Sequence, residues 1–102
     1  MQKDPHEALK REIIKHPEVL GLEDIASYKE EVAYTNGLRK IGQVDLVLWD
    51  KYGRPYIVEL TTGQTGKVKT RIKHQAMRAK KYFRHTVFSV IQREDYLEIK
   101  KY

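Results

Sequence analysis

Two carboxylates stand where carboxylates are unwelcome. Asp45 interrupts the apolar run Ile41-Gly42-Gln43-Val44-Asp45-Leu46-Val47-Leu48-Trp49, and Glu59 interrupts Tyr56-Ile57-Val58-Glu59-Leu60-Thr61. Both runs have the β-branched and aromatic content of strands. Asp50-Lys51-Tyr52-Gly53-Arg54-Pro55 between them is a turn sequence: Asp to accept from its own backbone, Gly for a positive φ, Pro to fix φ where the next strand begins. Folding the hairpin about Tyr52 sets Asp45 across from Glu59, and Gln43 across from Thr61. Like charges directly opposite destabilise a sheet. A buried carboxylate is costly unless it is paired, protonated or bound to a metal. A divalent cation held by both carboxylates resolves the conflict, since Mg²⁺ is commonly bound through one or two carboxylates and keeps several waters. Such an ion lowers the pKa of a bound water and offsets charge on a phosphate.

The elements that must position this pair follow from periodicity. Strict alternation puts Val44, Leu46 and Leu48 on one face, with Gln43, Asp45, Val47 and Trp49 on the other. On the second strand Tyr56, Val58 and Leu60 oppose Ile57, Glu59 and Thr61. Upstream, Asp4-Pro5-His6-Glu7 opens a helix with an N-cap, a proline in the first turn and an acid three residues after the cap. That helix runs to about Lys15, buries Leu9 and Ile13, and is stopped by Pro17. A short helical turn is expected between Glu18 and Ile25, then an edge strand from about Tyr28 to Tyr34 and a turn at Thr35-Asn36-Gly37. Downstream, a loop at Thr62–Gly66 leads into a helix from about Lys67 to Arg84, with Val68, Ile72, Ala76, Ala79 and Phe83 as its buried stripe. Arg71, Gln75, Arg78 and Tyr82 run along one margin of that stripe, and Lys69, Lys73, Lys80 and Arg84 along the other. Thr86–Ile91 is a buried strand, and Tyr96–Ile99 reads as one more short strand.

Composition bounds the partners. At 102 residues the chain is expected to form a single domain, residues 1–102. A net charge of +6 favours a polyanion such as DNA, with RNA left open. Lys67, Lys69, Arg71, Lys73, Arg78 and Lys80 are the candidates for neutralising backbone phosphates without reading sequence. Cysteine is absent, so thiolate metal sites and disulfides are excluded. No apolar run reaches the roughly 20 residues of a membrane helix, and no secretory h-region opens the chain, so a cytoplasmic protein is expected. The four histidines lack metal-ligand spacing and read as surface residues, as do Glu30 and Glu31.

An Asp in one strand, a turn, and a Glu on the next strand resemble the motif of the PD-(D/E)XK nuclease superfamily. The matching residues are Gly42-x-Val44-Asp45 and Val58-Glu59-Leu60-Thr61. The element order is similar too, over nearly the whole chain from about Glu7 to Ile91. With Lys15-His16-Pro17-Glu18 after the first helix, the pattern looks like that of small archaeal and bacterial DNA-repair and junction-processing nucleases. The resemblance implies a restriction-endonuclease-like αβββαβ core, an α/β (α+β) fold with a mixed sheet of about four strands flanked by helices. It implies a metal-dependent endodeoxyribonuclease acting in repair, recombination or processing of structured DNA. Mg²⁺ or Mn²⁺ would sit on Asp45 and Glu59, with Glu7, or else Glu12, as the first-helix acid. A homodimer is implied because a duplex presents two strands. Gln75 resembles the helix Gln that several branches carry, with Tyr82 able to share its role. Thr61 departs from the pattern, standing where the superfamily usually has Lys. A neutral hydroxyl cannot supply a positive charge. Either a lysine from the following helix, Lys67, Lys69 or Lys73, takes over, or the chain is a weak or inactive module that binds nucleic acid or a protein.

Overall fold

The computed structural model describes residues 4–63 and 69–102, Lys69 by its backbone only. The sequence expectations for Lys67, Val68, the Lys69 side chain and Gln64–Gly66 fall outside the described residues. Helix α1 (Pro5–Lys15) starts as its sequence dictates: Asp4 caps it by accepting a hydrogen bond from the His6 backbone N–H at 3.0 Å, and Pro5 fills the first position. Glu7 does not complete a capping box. Its carboxylate turns along the helix to Lys10 at 3.1 Å and Arg11 at 3.5 Å. A 3-10 turn (Pro17–Leu20) follows and ends on Gly21 with φ 76°.

Three antiparallel strands come next: β1 (Ile25–Asn36), β2 (Arg39–Asp50) and β3 (Pro55–Thr61). Helix α2 (Lys69–Phe83) carries the chain across to β4 (Val87–Gln92), which pairs parallel with β3. β5 (Leu97–Lys101) adds antiparallel to β4. The result is an α+β fold whose single five-stranded mixed sheet has the order β1-β2-β3-β4-β5. The fifth strand is the short one expected at Tyr96–Ile99, beyond the about four of the resembled core, and β1 is longer at both ends than the sequence suggests. Among the described residues no helix is long and apolar enough to cross a membrane.

The sheet is covered on both faces. Leu46, Leu48, Val58, Leu60, Phe88 and Val90 pack with Leu9 and Ile13 of α1. Val47, Ile57 and Val87 pack with Ala76 and Ala79 of α2 and with Tyr34. β4 is accordingly buried at every position from Val87 to Ile91, Ser89 included.

Strict alternation fails in β2 at one place, and that place matters. Val44 packs on the α2 side with Val47, whereas Leu46 packs on the α1 side. The break falls at Asp45. Across from it, between the pairs Glu30–Leu46 and Val32–Val44, Glu31 of β1 has a left-handed φ of 52°. A non-glycine residue there costs on the order of 1–2 kcal/mol and re-aims its neighbours as a bulge does. The conformation is held by the Glu31 side chain, which accepts from Lys10 Nζ at 2.6 Å and from Gln43 Nε2 at 2.6 Å.

Candidate active site

β2 and β3 pair from Trp49–Pro55 to Leu46–Val58, the register that folding about Tyr52 requires. Carried one residue further, it sets Asp45 across from Glu59. The ladder is altered there. The backbone N–H of Leu60 donates to Asp45 Oδ2 at 2.7 Å, so a side chain replaces a strand carbonyl as acceptor. The other oxygen, Oδ1, lies 3.3 Å from His6 Nε2 in the first turn of α1.

Burial raises the Asp45 carboxyl above its ordinary value, while the Leu60 N–H and His6 oppose the rise. Glu59 departs further. Burial first, then the negative charge of Asp45, push it up to about 8, against the pull of the Arg78 guanidinium. Among the described residues no donor is hydrogen-bonded to the Glu59 carboxylate. Its neighbour across the parallel ladder is Ser89, fully buried with a hydroxyl that likewise has no partner among those residues. Two carboxyls that burial holds toward the neutral form, one of them without donors among the described residues, make a position that a cation would stabilise.

A cleft of about 240 Å³ opens beside this pair, where β3 ends between the start of α1 and α2. His6, Leu60, Thr61, Thr62, Arg71, Ile72 and Gln75 line it. An adjoining groove runs along α2 past Thr70, Arg71, His74, Gln75 and Arg78. Thr61, Gln75 and Arg71 therefore reach one place from two elements, and Arg78 is next to it. Lys73 does not: it is exposed and falls on the opposite margin of α2, away from the residues that line the cleft. Lys80 is turned away as well. Its Nζ donates to the backbone carbonyl of Tyr102 at 3.3 Å, and with Arg54 and Arg84 it borders a groove at the turn end of the hairpin. Helical phase explains both, since residues 73 and 80 lie across the buried stripe from 71, 75 and 78.

Glu7 stays with Lys10 and Arg11, and among the described residues no group of three or more His, Cys, Asp or Glu side chains is arranged to hold a metal ion. Three residues that read as surface are tied into this neighbourhood, Glu31 while remaining exposed. His6 faces Asp45 and lines the cleft. Glu30 and Glu31 are ion-paired to α1: Lys10, 3% exposed, lies 3.4 Å from Glu30 and 2.6 Å from Glu31, and Arg11 also pairs with Glu30. The charge of Glu31 is felt by both Asp45 and Glu59. A helical lysine between Leu9 and Arg11 carries no sequence signal of burial, because the carboxylates that permit it are some twenty residues away.

No family model matches the chain, and no curated protein does. The solved crystal structure of SSO0001 is similar in fold, with a TM-score of 0.53 and 19% sequence identity over 95% of this chain and 52% of that one. The chain thus spans about half the length of that protein and shares with it an architecture.

Proposed function

We propose that the protein is a metal-dependent endodeoxyribonuclease of the PD-(D/E)XK kind, hydrolysing phosphodiester bonds at the cleft beside Asp45 and Glu59. The observation that carries this reading is the pair itself: carboxyls on neighbouring strands of a sheet covered on both sides, close enough for the charge of Asp45 to raise Glu59, with Glu59 lacking a hydrogen-bond donor among the described residues and raised to about 8. The donor set suits Mg²⁺ or Mn²⁺, because hard oxygen ligands few in number leave room for waters and a substrate phosphate. When bound, the ion would supply a water of lowered pKa and neutralise charge on the phosphate. The chain's own residues do the rest. The Leu60 N–H and His6 fix the orientation of Asp45. Thr61 and Gln75 hydrogen-bond water or a phosphate oxygen in the cleft. Arg71 and Arg78 hold the nucleic-acid backbone.

A second reading keeps the binding and drops the chemistry. Thr61 stands where the resembled superfamily has Lys, and among the described residues no lysine lines the cleft. One experiment separates the two. The protein is incubated with Mg²⁺ or Mn²⁺ and single-stranded, duplex, flap and junction DNA, with Asp45→Asn and Glu59→Gln alongside. Cleavage by the parent that falls on the order of 1000-fold in either variant supports a nuclease. Salt-sensitive binding with no cleavage under any metal supports the inactive module, and neither binding nor cleavage rejects both.

A further inference from the structure

Arg78 is not simply one more cation on a basic helix. Its Nε donates to the hydroxyl of Tyr34 at 3.2 Å, across 44 residues of sequence. Tyr34 is 3% exposed, near the end of a strand whose residues are mostly exposed. Tyr82 and Phe83 of α2 hold its ring, with centroids 4.8 Å and 5.4 Å away. Gly42, paired with Tyr34 across the β1–β2 ladder, makes room for it: a Cβ there would stand 2.5 Å from the Tyr34 hydroxyl oxygen and 2.6 Å from its ring carbon Cζ. The ring lies over the glycine, and its hydroxyl is delivered to the α2 margin that borders the groove. A guanidinium anchored through Nε keeps its two terminal nitrogens free to make the paired contact that a phosphate's two oxygens match. Arg71 and Gln75 share the groove with it.

We infer that Arg78 is the phosphate-orienting cation of the groove that adjoins the cleft and Tyr34 its positioning residue, seated in the space that Gly42 leaves open. This deepens the proposed function and rests on it. A lysine on the strand would have brought a point charge; here a planar, pre-aimed cation comes from the helix. Orientation, and not charge alone, is what Tyr34 contributes. Removing its hydroxyl therefore weakens the hold on phosphate while leaving net charge unchanged.

The test measures binding of a 20-nucleotide single strand and a 20-base-pair duplex in EDTA across a KCl series, so that it does not depend on cleavage. The set is the parent chain, Tyr34→Phe, Arg78→Gln, Arg78→Lys and, as a charge-matched control on exposed Lys100 of β5, Lys100→Gln. The expected result is about 10-fold weaker binding for Arg78→Gln, with a salt slope shallower by about one unit. Tyr34→Phe is expected to bind about 3-fold more weakly with an unchanged melting temperature, and Arg78→Lys to recover only part of the loss. Lys100→Gln is expected to lose less than 2-fold. Arg78→Gln indistinguishable from Lys100→Gln, or Tyr34→Phe binding as the parent does, overturns the inference while leaving the nucleic-acid reading intact. Failure of the parent to bind either DNA overturns the two together.

Discussion

The two ends of the β2–β3 hairpin hold carboxylates in opposite conditions. At the turn, Asp50 is 4% exposed. Its Oδ1 accepts from the backbone N–H groups of Tyr52 and Arg54, both at 2.9 Å, and its Oδ2 accepts from Arg54 Nε at 2.8 Å. Burial favours the neutral acid, yet these donors hold the carboxyl below its ordinary value. At the open end, five residues back along the same strand, Asp45 has one backbone donor and a histidine, and Glu59 across from it has none among the described residues. Both are raised. Burial raises the pair at the open end, and at the turn the N–H groups aimed at the oxygens outweigh it. The turn saturates its carboxylate and fixes a structure; the open end supplies its pair with fewer donors among the described residues.

The comparison can be broken from either side. The largest effect is expected from exchanging the two demands. Asp45→Asn should abolish metal-dependent cleavage, on the order of 1000-fold, with a melting temperature equal to the parent's or higher. Asp50→Asn, which cannot accept at both oxygens, should lower the melting temperature by roughly 10 °C and leave cleavage at permissive temperature within a few-fold. Cleavage assays and thermal melts of the two purified variants check this; similar melting losses in both would mean that Asp45 is as structural as Asp50.

A smaller effect concerns pH. Glu59 binds its proton more tightly folded than unfolded, its value being about 8 against the ordinary 4.5. The folded state therefore holds more protons between those values. Stability contributed by the neutral acid is full below about pH 4.5 and is lost as pH rises through 8. The metal-free protein should melt roughly 5–10 °C lower at pH 8.5 than at pH 5. Glu59→Gln should flatten that dependence, and Mg²⁺ should raise the melting temperature of the parent chiefly at the alkaline end. A profile that is flat in the parent, or equally steep in the variant, would show that the carboxyl ionises freely.

The smallest effect sharpens the question of the absent lysine. Thr61→Lys restores a strand cation at the cleft wall. It is expected to increase cleavage about 10-fold if Arg78 and the metal leave charge on the phosphate unneutralised, and to change binding by less than 3-fold. Single-turnover kinetics separates the two quantities.

Much of this architecture is written in local pattern. Asp4-Pro5 starts α1, and Asp50, Gly53 and Pro55 make the turn, Gly53 with the positive φ of 81° that its sequence implies. The turn fixes the register, and the register brings Asp45 toward Glu59. These features depend on neighbours a few residues apart, so composition and spacing contain them. The fifth strand was partly legible in Tyr96–Ile99, and the edge position of β1 in its charges. The break in alternation at Asp45 was not legible. It depends on Glu31, whose left-handed backbone is held by a lysine on a different element.

What the sequence by itself determined is therefore the hairpin, its turn and the register that brings Asp45 toward Glu59. What only the tertiary structure decided is which cations and donors reach them: His6 to Asp45, Lys10 to Glu31, Arg78 to Tyr34 over Gly42. The physical reason is the range of the interactions. Turns, caps and strand phase are set by backbone sterics and hydrogen bonds between near neighbours. The direction in which a helix presents its polar margin is set by how its apolar stripe seats on the sheet, and that seating exists only once both are folded.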